Sequence, residues 1–492
     1  MKKIFVLMAV LAAAVNVNAG DNAPDFIDKN GIGYDITGST TCKVVKYRDA
    51  NGNSMYSGSI NIPSTANNGS ATYTVTCIGE SAFSRSTITS VIIPETVTAI
   101  EDDVFYMCVN LTSVYIGKNV AQIADDSYDT SEVFVRCSSL TSINVDADNA
   151  YFADINGVLT TKDKKTLLCY PGGKLETSYT TPNGVEMIGI KAFNHADNLV
   201  EIIFSNDVTT LKYKSVSLCE KLQTITMGDG LTTIDDWSRW NGFIHDECYN
   251  FKTLIIGANL PLDYVLAIIN ESKYRGYSVD ASKNKYVTVS GNVLFSKDMS
   301  TLYTVMAPIS GTYTVPSTVT NIGQGAFYGC ENLLSVIIGS TSYDPNSFSR
   351  TRAGGTNVVT IGDMAFAGLQ HLQELVIGAN VTTIGGGAFR ELRELKNVTN
   401  CATTPQVINE WTFDGKHPEA VLHVPAGCKS AYEAAEGWNR FSTIVEDAEA
   451  TGVRTVGCDE EKGTMYDLNG RKVENSVNGV YIRNGRKVII NK

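Results

Sequence analysis

A spacing of 23 residues, repeated down the chain, restricts what this sequence can fold into more than any other feature. The pattern is Ile-x4-Phe-x5-Leu-x2-Val/Ile-x-Ile followed by Gly or Pro, with clear copies starting at Ile100, Ile188, Ile361 and Ile384. In the first copy Phe105, Leu111, Val114 and Ile116-Gly117 fill the slots, and the pattern restarts at Ile123. The same step joins Ile188, Leu211 and Ile234, while Ile78 precedes Ile100 by 22 residues. A unit this short cannot bury its own apolar positions and must stack on copies of itself, so the period specifies a solenoid. Leu111-x2-Val114-x-Ile116 alternates with period two and reads as a short parallel strand, with Ile100 and Phe105 filling the coil from the opposite side.

A longer order overlies the short one. Ile78, Ile100 and Ile123 reappear 110 to 111 residues later as Ile188, Leu211 and Ile234, and Ile322, Ile361 and Ile384 complete a third set. Between triplets, Asn156-Gly157-Val158-Leu159 and Gly291-Asn292-Val293-Leu294 each lead to Lys-Asp and Thr-Leu, which predicts inserted β-hairpins near 151–170 and 286–308. Turn signals at Asp49–Gly52 and Asn67–Gly69 make 20–77 an N-terminal β cap; Val421–Pro425 and a short helical pattern from Ser430 to Trp438 close the solenoid, which spans 78–446.

Ile361-Gly362-Asp363-Met364-Ala365-Phe366 with Leu372, the Cys in Phe327-Tyr328-Gly329-Cys330, and Val424-Pro425-Ala426-Gly427 resemble the BspA-like, Treponema-type leucine-rich repeat proteins of anaerobic Gram-negative bacteria. The resemblance covers about residues 26 to 446, faltering at Ile234–Cys248, where Ala-Phe is lost, and at Ser340–Asn357, a Ser/Thr/Arg/Gly-rich insertion. It implies a mostly β, curved leucine-rich-repeat solenoid with a parallel sheet, a secreted or cell-surface location, and an adhesive or ligand-binding role.

Met1-Lys2-Lys3, the twelve apolar residues Ile4–Val15 and the small residues before Gly20 read as a signal peptide over 1–19. As a helix twelve residues rise only about 18 Å, too little for a bilayer core. No later stretch reaches 18 apolar residues, so no membrane span is expected. The formal net charge of −12 argues against nucleic acid as a partner. The last segment, 447–492, shifts composition, with 8 Lys and Arg against 5 Asp and Glu in 451–492. Asn469-Gly470 and Asn484-Gly485 sit between alternating apolar runs, a hairpin signature. This tail is similar to the C-terminal sorting domain of type IX secretion cargo, which implies display on the outer-membrane exterior or release; a small β module docked on the solenoid is the other reading.

Catalytic chemistry finds no purchase. There is no nucleophile elbow, phosphate loop or dinucleotide fingerprint, and His195, His245, His371, His417 and His423 are scattered, four of them read as solvent-facing turn residues. Of the eleven cysteines, Cys108, Cys137, Cys219, Cys248 and Cys330 each precede a strand-opening residue by three, so they read as a core slot. Stacking could also bring Cys108 near Cys137 and Cys219 near Cys248 for disulfides. No ligand spacing for a metal occurs. The acidic pairs at Asp102, Asp125 and Asp235 read as solvated turns, and Asp49-x-Asn51-x-Asn53 lacks the Gly and Glu of a calcium loop. No catalytic residue, metal or cofactor is expected.

What remains is surface. The residue between the last two core positions of each strand faces outward, giving Ile92, Tyr115, Asn144, Ile203, Thr226, Ile255, Ile337, Val376 and Thr399. β-Branched residues suit a pleated strand whatever their role. The sharper reading makes Ile92, Tyr115, Ile203, Ile255, Ile337 and Val376 an apolar binding stripe. The expectation is a monomeric, non-catalytic adhesion protein that binds a host matrix protein or another cell. Capture of a glycan or peptide for nutrient uptake, served by Lys273–Tyr277, is the alternative; a hydrolase with its site in the insertions comes third.

Overall fold

The computed structural model describes residues 23–124, 132–235, 244–245, 248–275, 277–306, 308–339, 358–413 and 417–447, with short strands between 465 and 490. The proposed leader, the 340–357 insertion and most of Ile234–Cys248, where the repeat falters, lie outside them. The chain forms two compact units, one of residues 1–309 and 321–330 and one of residues 310–320 and 331–492.

The first unit begins with antiparallel strands, Phe26–Ile27, Gly33–Ile36 and Thr41–Val44. They pass through Thr72–Ile78 into the parallel ladder of Ala99–Ile100 and Gln122–Ile123. This is the expected N-terminal cap, feeding the side of the coils where Ile78, Ile100 and Ile123 stack. On the other side Ser57–Asn61, Thr87–Ile92, Ser113–Ile116 and Ser142–Val145 pair in parallel. Backbone bonds link each coil to the one before, as in Thr112 N donating to Thr89 O and Thr141 N to Thr112 O, at 2.8 and 2.9 Å. Between the two ladders the phenylalanines stack. Phe83 lies 5.7 Å from Phe105, and Phe105 lies 5.5 Å from Phe134, the rings nearly parallel. Phe83 and Phe105 are fully buried.

Each insertion is a three-stranded meander rather than a lone hairpin. Phe152–Ile155, Val158–Thr161 and Thr166–Cys169 run antiparallel, and the third strand then pairs in parallel with Met187–Ile188, so the meander starts the next coil stack. Val287–Ser290, Val293–Ser296 and Thr301–Val305 repeat this, ending against Asn321–Ile322. Asn156-Gly157 and Gly291-Asn292 take positive φ at both positions, the twist that a two-residue hairpin requires.

Two fully buried asparagines anchor these meanders. Asn149 Nδ2 donates to Gly117 O and Val120 O at 2.9 and 3.0 Å, while its Oδ1 accepts from the amides of Tyr151 and Phe152. Asn284 repeats the arrangement with Gly257 O, Leu260 O and the amide of Tyr286. A coil also swells into a helix, Leu262–Arg275, which buries Val265, Ile268 and Ile269.

In the second unit Gly311–Thr314, Leu333–Ile338, Glu374–Ile377, Asn397–Asn400, His417–Pro425 and Phe441–Asp447 form one parallel sheet. Phe366, Phe389 and Phe413 stack behind it at 5.7 and 5.1 Å. The closing cap is the short helix Lys429–Ala434 and buried Trp438, whose Nε1 donates to Gln406 O. In the tail Met465–Tyr466 pairs with Lys472–Val473, and Gly479–Arg483 with Arg486–Ile490, both antiparallel across the two Asn-Gly steps.

Replacing Asn149 by Ala strands two buried carbonyls and two amides, so stability to urea falls by roughly 2–4 kcal/mol. A loss below about 1 kcal/mol contradicts the anchoring role.

Candidate functional site

The outward strand face is built by alternation. Val91 and Ile93, and likewise Val114 and Ile116, point into the core, which turns Ile92 and Tyr115 outward. Strand register then sets Asn61, Ile92, Tyr115 and Asn144 side by side in one row. Ile92 is 46% exposed and Tyr115 39%. Beside them runs a row of hydroxyls, Ser59, Ser90, Ser113 and Ser142, in which Ser59 Oγ and Ser90 Oγ lie 2.6 Å apart. The Tyr115 ring is fixed at its far end, its OH donating to Asp146 Oδ2 at 2.8 Å. Asp146 is itself positioned by the amide of Asp148, which bonds Oδ1 at 2.9 Å. That amide bond, then the Tyr115 hydroxyl, holds the Asp146 carboxyl below the usual range, and the same carboxylate raises the phenol of Tyr115.

The six stripe residues do not form one stripe. The meander lies on the free edge of Ser142–Val145, where Ile143 N donates to Gly157 O and Val145 N to Asp154 Oδ1. Gly157 sits so close that a Cβ there would come 2.9 Å from Ser142 Cβ. The row therefore stops at Asn144, because insertion residues take the hydrogen bonds that a further coil would use. A separate ladder carries Thr180, Ile203, Thr226, Ile255 and Asp280, so Thr226 stands between half-buried Ile203 and Ile255. In the second unit Thr314, Ile337, Val376, Thr399 and His423 share a row, with Ile337 and Val376 adjacent and half-buried. Register thus brings together Ile92 with Tyr115 and Ile337 with Val376, and separates the remaining two.

Other chemistry-bearing groups serve the fold. Cys108, Cys137, Cys219 and Cys330 are buried in their slot while Cys248 is half-buried. Three thiols donate to the phenylalanine carbonyl of the preceding coil, Cys108 to Phe83 O, Cys137 to Phe105 O and Cys219 to Phe193 O, at 3.1, 3.0 and 2.9 Å. Burial raises all three above the ordinary thiol range, so none rests as a thiolate at neutral pH. Both oxygens of Asp49 are taken by its own loop, through the amides of Asn51 and Asn53 and the Asn53 side chain. Asp235 pairs with Lys212 at 3.3 Å. Among the described residues no three His, Cys, Asp or Glu side chains gather as a metal set would.

Of the described histidine side chains, His371 is exposed beside Glu394, His195 is largely buried near Asp197, and His423 stands on a strand against Asn397. Only His371 fits the solvent-facing turn expected of most of them. Lys273–Gly276 side chains fall outside the described residues, and Tyr277 is buried against Phe251 at 5.0 Å.

Parallel ladders of short strands along the coils and repeated Ile, Phe and Leu slots define a leucine-rich repeat protein. Residues 53–155, 170–260 and 310–419 match the BspA type leucine rich repeat region in 6 copies, and the chain belongs to that family. Among solved structures it is similar to a leucine-rich repeat protein from Bacteroides ovatus, 20% identical over 85% of this chain and 88% of that one, with a TM-score of 0.36. It is also similar to a leucine rich cell surface protein from Faecalibacterium prausnitzii, 19% identical over 87% and 96%, TM-score 0.31. The pneumococcal vaccine antigen PcpA is 16% identical over 87% and 99%, TM-score 0.30. No curated protein matches the chain.

The Tyr115–Asp146 bond predicts a pH response. The Asp146 pKa is lowered on folding, so the bond's contribution is complete above the unfolded value near 3.8 and is lost as pH falls through the lower folded value. Tyr115→Phe removes one of the two groups holding Asp146 down. A carboxyl-carbon NMR titration should therefore show its midpoint rising toward 3.8; an unmoved midpoint means the hydroxyl does not bind the carboxylate in solution.

Proposed function

We propose that this protein is a non-catalytic adhesion protein of the cell surface or the surrounding medium, which binds a host matrix protein or another cell through its outward strand face. The observation that carries the reading is the Ile92–Tyr115 pair. An aliphatic and an aromatic side chain stand exposed next to each other on a parallel ladder, with the ring tethered by Asp146 and hydroxyls on its flank. An aromatic anchor with a polar surround is what a protein partner buries most profitably. Because strand register and the tether already fix the ring, little side-chain freedom is lost on binding.

Two sequence features support export. Ile4–Val15 behind Lys2-Lys3 has the length and flanks of a leader rather than a span, and the Asn-Gly steps of the 447–492 tail are similar to those of a sorting domain. The sorting reading of this tail is tested by surface display of a chain lacking Asp459–Lys492, and unchanged display overturns it. The glycan-capture alternative rests on Lys273–Tyr277, which runs from the end of the helix Leu262–Arg275 to Tyr277, whose side chain is buried.

The test is direct binding of the purified chain to matrix proteins and to a glycan array at physiological salt. The double variant Ile92→Ser with Tyr115→Ser should weaken binding to a matrix protein about tenfold or more, with unfolding changed by no more than about 1 kcal/mol. The Ile203→Ser/Ile255→Ser and Ile337→Ser/Val376→Ser pairs map how far the contact extends. Binding unchanged in all three removes the strand face from consideration, and binding to glycans alone replaces the adhesion reading with glycan capture.

A further inference from the structure

The coils ending in Thr224–Thr226 and Thr253–Ile255 are paired in strict register, Thr224 with Thr253 and Ile225 with Leu254. The turns before these strands match, Leu222 N donating to Cys219 O and Phe251 N to Cys248 O at 3.2 and 3.1 Å. Asn250 Nδ2 then ties the second turn to Glu220 O at 2.7 Å. Cys219 and Cys248 both lie five residues before the paired threonines, so their backbones stack at the spacing of neighbouring strands. That spacing is about 4.8 Å, inside the range of about 4.4–6.8 Å between Cα atoms that a disulfide needs.

One irregularity separates this pair from the other stacked thiols. On the far side of the coil Ser217 pairs with His245, so three steps of chain lead to Cys248 where two lead to Cys219. With that extra residue Cys248 is half-buried rather than fully buried like Cys108, Cys137 and Cys219. Its thiol comes within hydrogen-bonding reach of the Cys219 thiol, which also donates to Phe193 O as Cys108 and Cys137 donate to the coils before theirs.

We infer that Cys219 and Cys248 are a modification site: they close to an inter-coil disulfide when the protein meets a disulfide oxidant, and no other cysteine of the coil slot does so. The reaction is thiol–disulfide exchange. The more accessible Cys248, as thiolate, attacks one sulfur of the oxidant and expels its other half as a thiolate, leaving a mixed disulfide. Cys219, giving up its proton, attacks Sγ of Cys248 and expels the second half. Two protein thiols and one oxidant disulfide thus become one protein disulfide and two oxidant thiols. Oxidants of this class prevail outside the cytoplasm, so export gives the bond its occasion, although the geometry does not depend on the adhesion reading. The bond would staple the coils that carry Thr226 and Ile255, fixing that stretch of the outward face from behind.

The experiment treats the purified full chain with oxidised glutathione, blocks remaining thiols under denaturing conditions and digests without reduction. The expected product is a tryptic pair joining residues 215–221 to 240–252, lighter by two hydrogens than the sum of the separate peptides. Cys108 and Cys137 should remain fully alkylated. Reductant should lower the thermal midpoint of the oxidised chain by roughly 5 °C, a response absent from Cys248→Ser. Full alkylation of Cys219 and Cys248 after oxidation, or a glutathione adduct persisting on Cys248 with Cys219 alkylated, overturns the proposal. So does an equal yield of Cys108–Cys137 cross-link, which would mean that stacking alone suffices.

Discussion

Everything in this molecule depends on the backbone register between one coil and the next. A coil of 23 residues has too little interior of its own, and many of its amides find acceptors only on a neighbouring coil, as Ala121 does on Thr98 and Phe105 on Val133. Once that register holds, residues one period apart must stack. Phenylalanine then meets phenylalanine at 5.7 and 5.5 Å, thiols meet the carbonyls of the preceding coil, and outward positions line up into rows. The surface is a by-product of the stacking, which is why it can vary while the slots repeat.

The stacking was legible in the sequence because it is written in apolar residues at a fixed period. Ile100, Phe105, Leu111, Val114 and Ile116 are all buried, and Asn156-Gly157 and Gly291-Asn292 announce the meander turns because few other pairs tolerate positive φ twice. What the sequence did not disclose is polar or positional. Asn149 and Asn284 look like ordinary turn residues, yet each is sealed inside and holds a meander to the previous coil. Their role depends on carbonyls some 30 positions back, which no local pattern reveals. The helix Leu262–Arg275 falls inside the span read as solenoid coils. The outward row reads as continuous because the period continues across the insertions. It is divided in the structure because the first meander takes the hydrogen bonds of the strand edge at Ser142–Val145.

That division matters for function. Binding surfaces of solenoids usually run along many repeats, whereas here the adjacent apolar outward positions come as local pairs, each on its own ladder. Ile92 with Tyr115 is the more exposed and the more rigidly held, since Asp146 at the start of the insertion grips the ring. The insertion thus ends one ladder and also stiffens its most exposed aromatic side chain. Membership of the BspA type leucine rich repeat family fixes the fold; the proposed binding role rests on these side chains.

Stability passes from coil to neighbouring coil through this register, and hydrogen exchange read by mass spectrometry on the Phe105→Ala variant tests this most directly. Removing a fully buried ring from the stack costs about 3–5 kcal/mol locally. Protection should be lost in the coils of Phe83, Phe105 and Phe134, with amides of the Ile188, Leu211 and Ile234 coils exchanging as in the unaltered chain. Uniform loss of protection across residues 23–306 would contradict it, showing one globally cooperative core in place of a chain of neighbours.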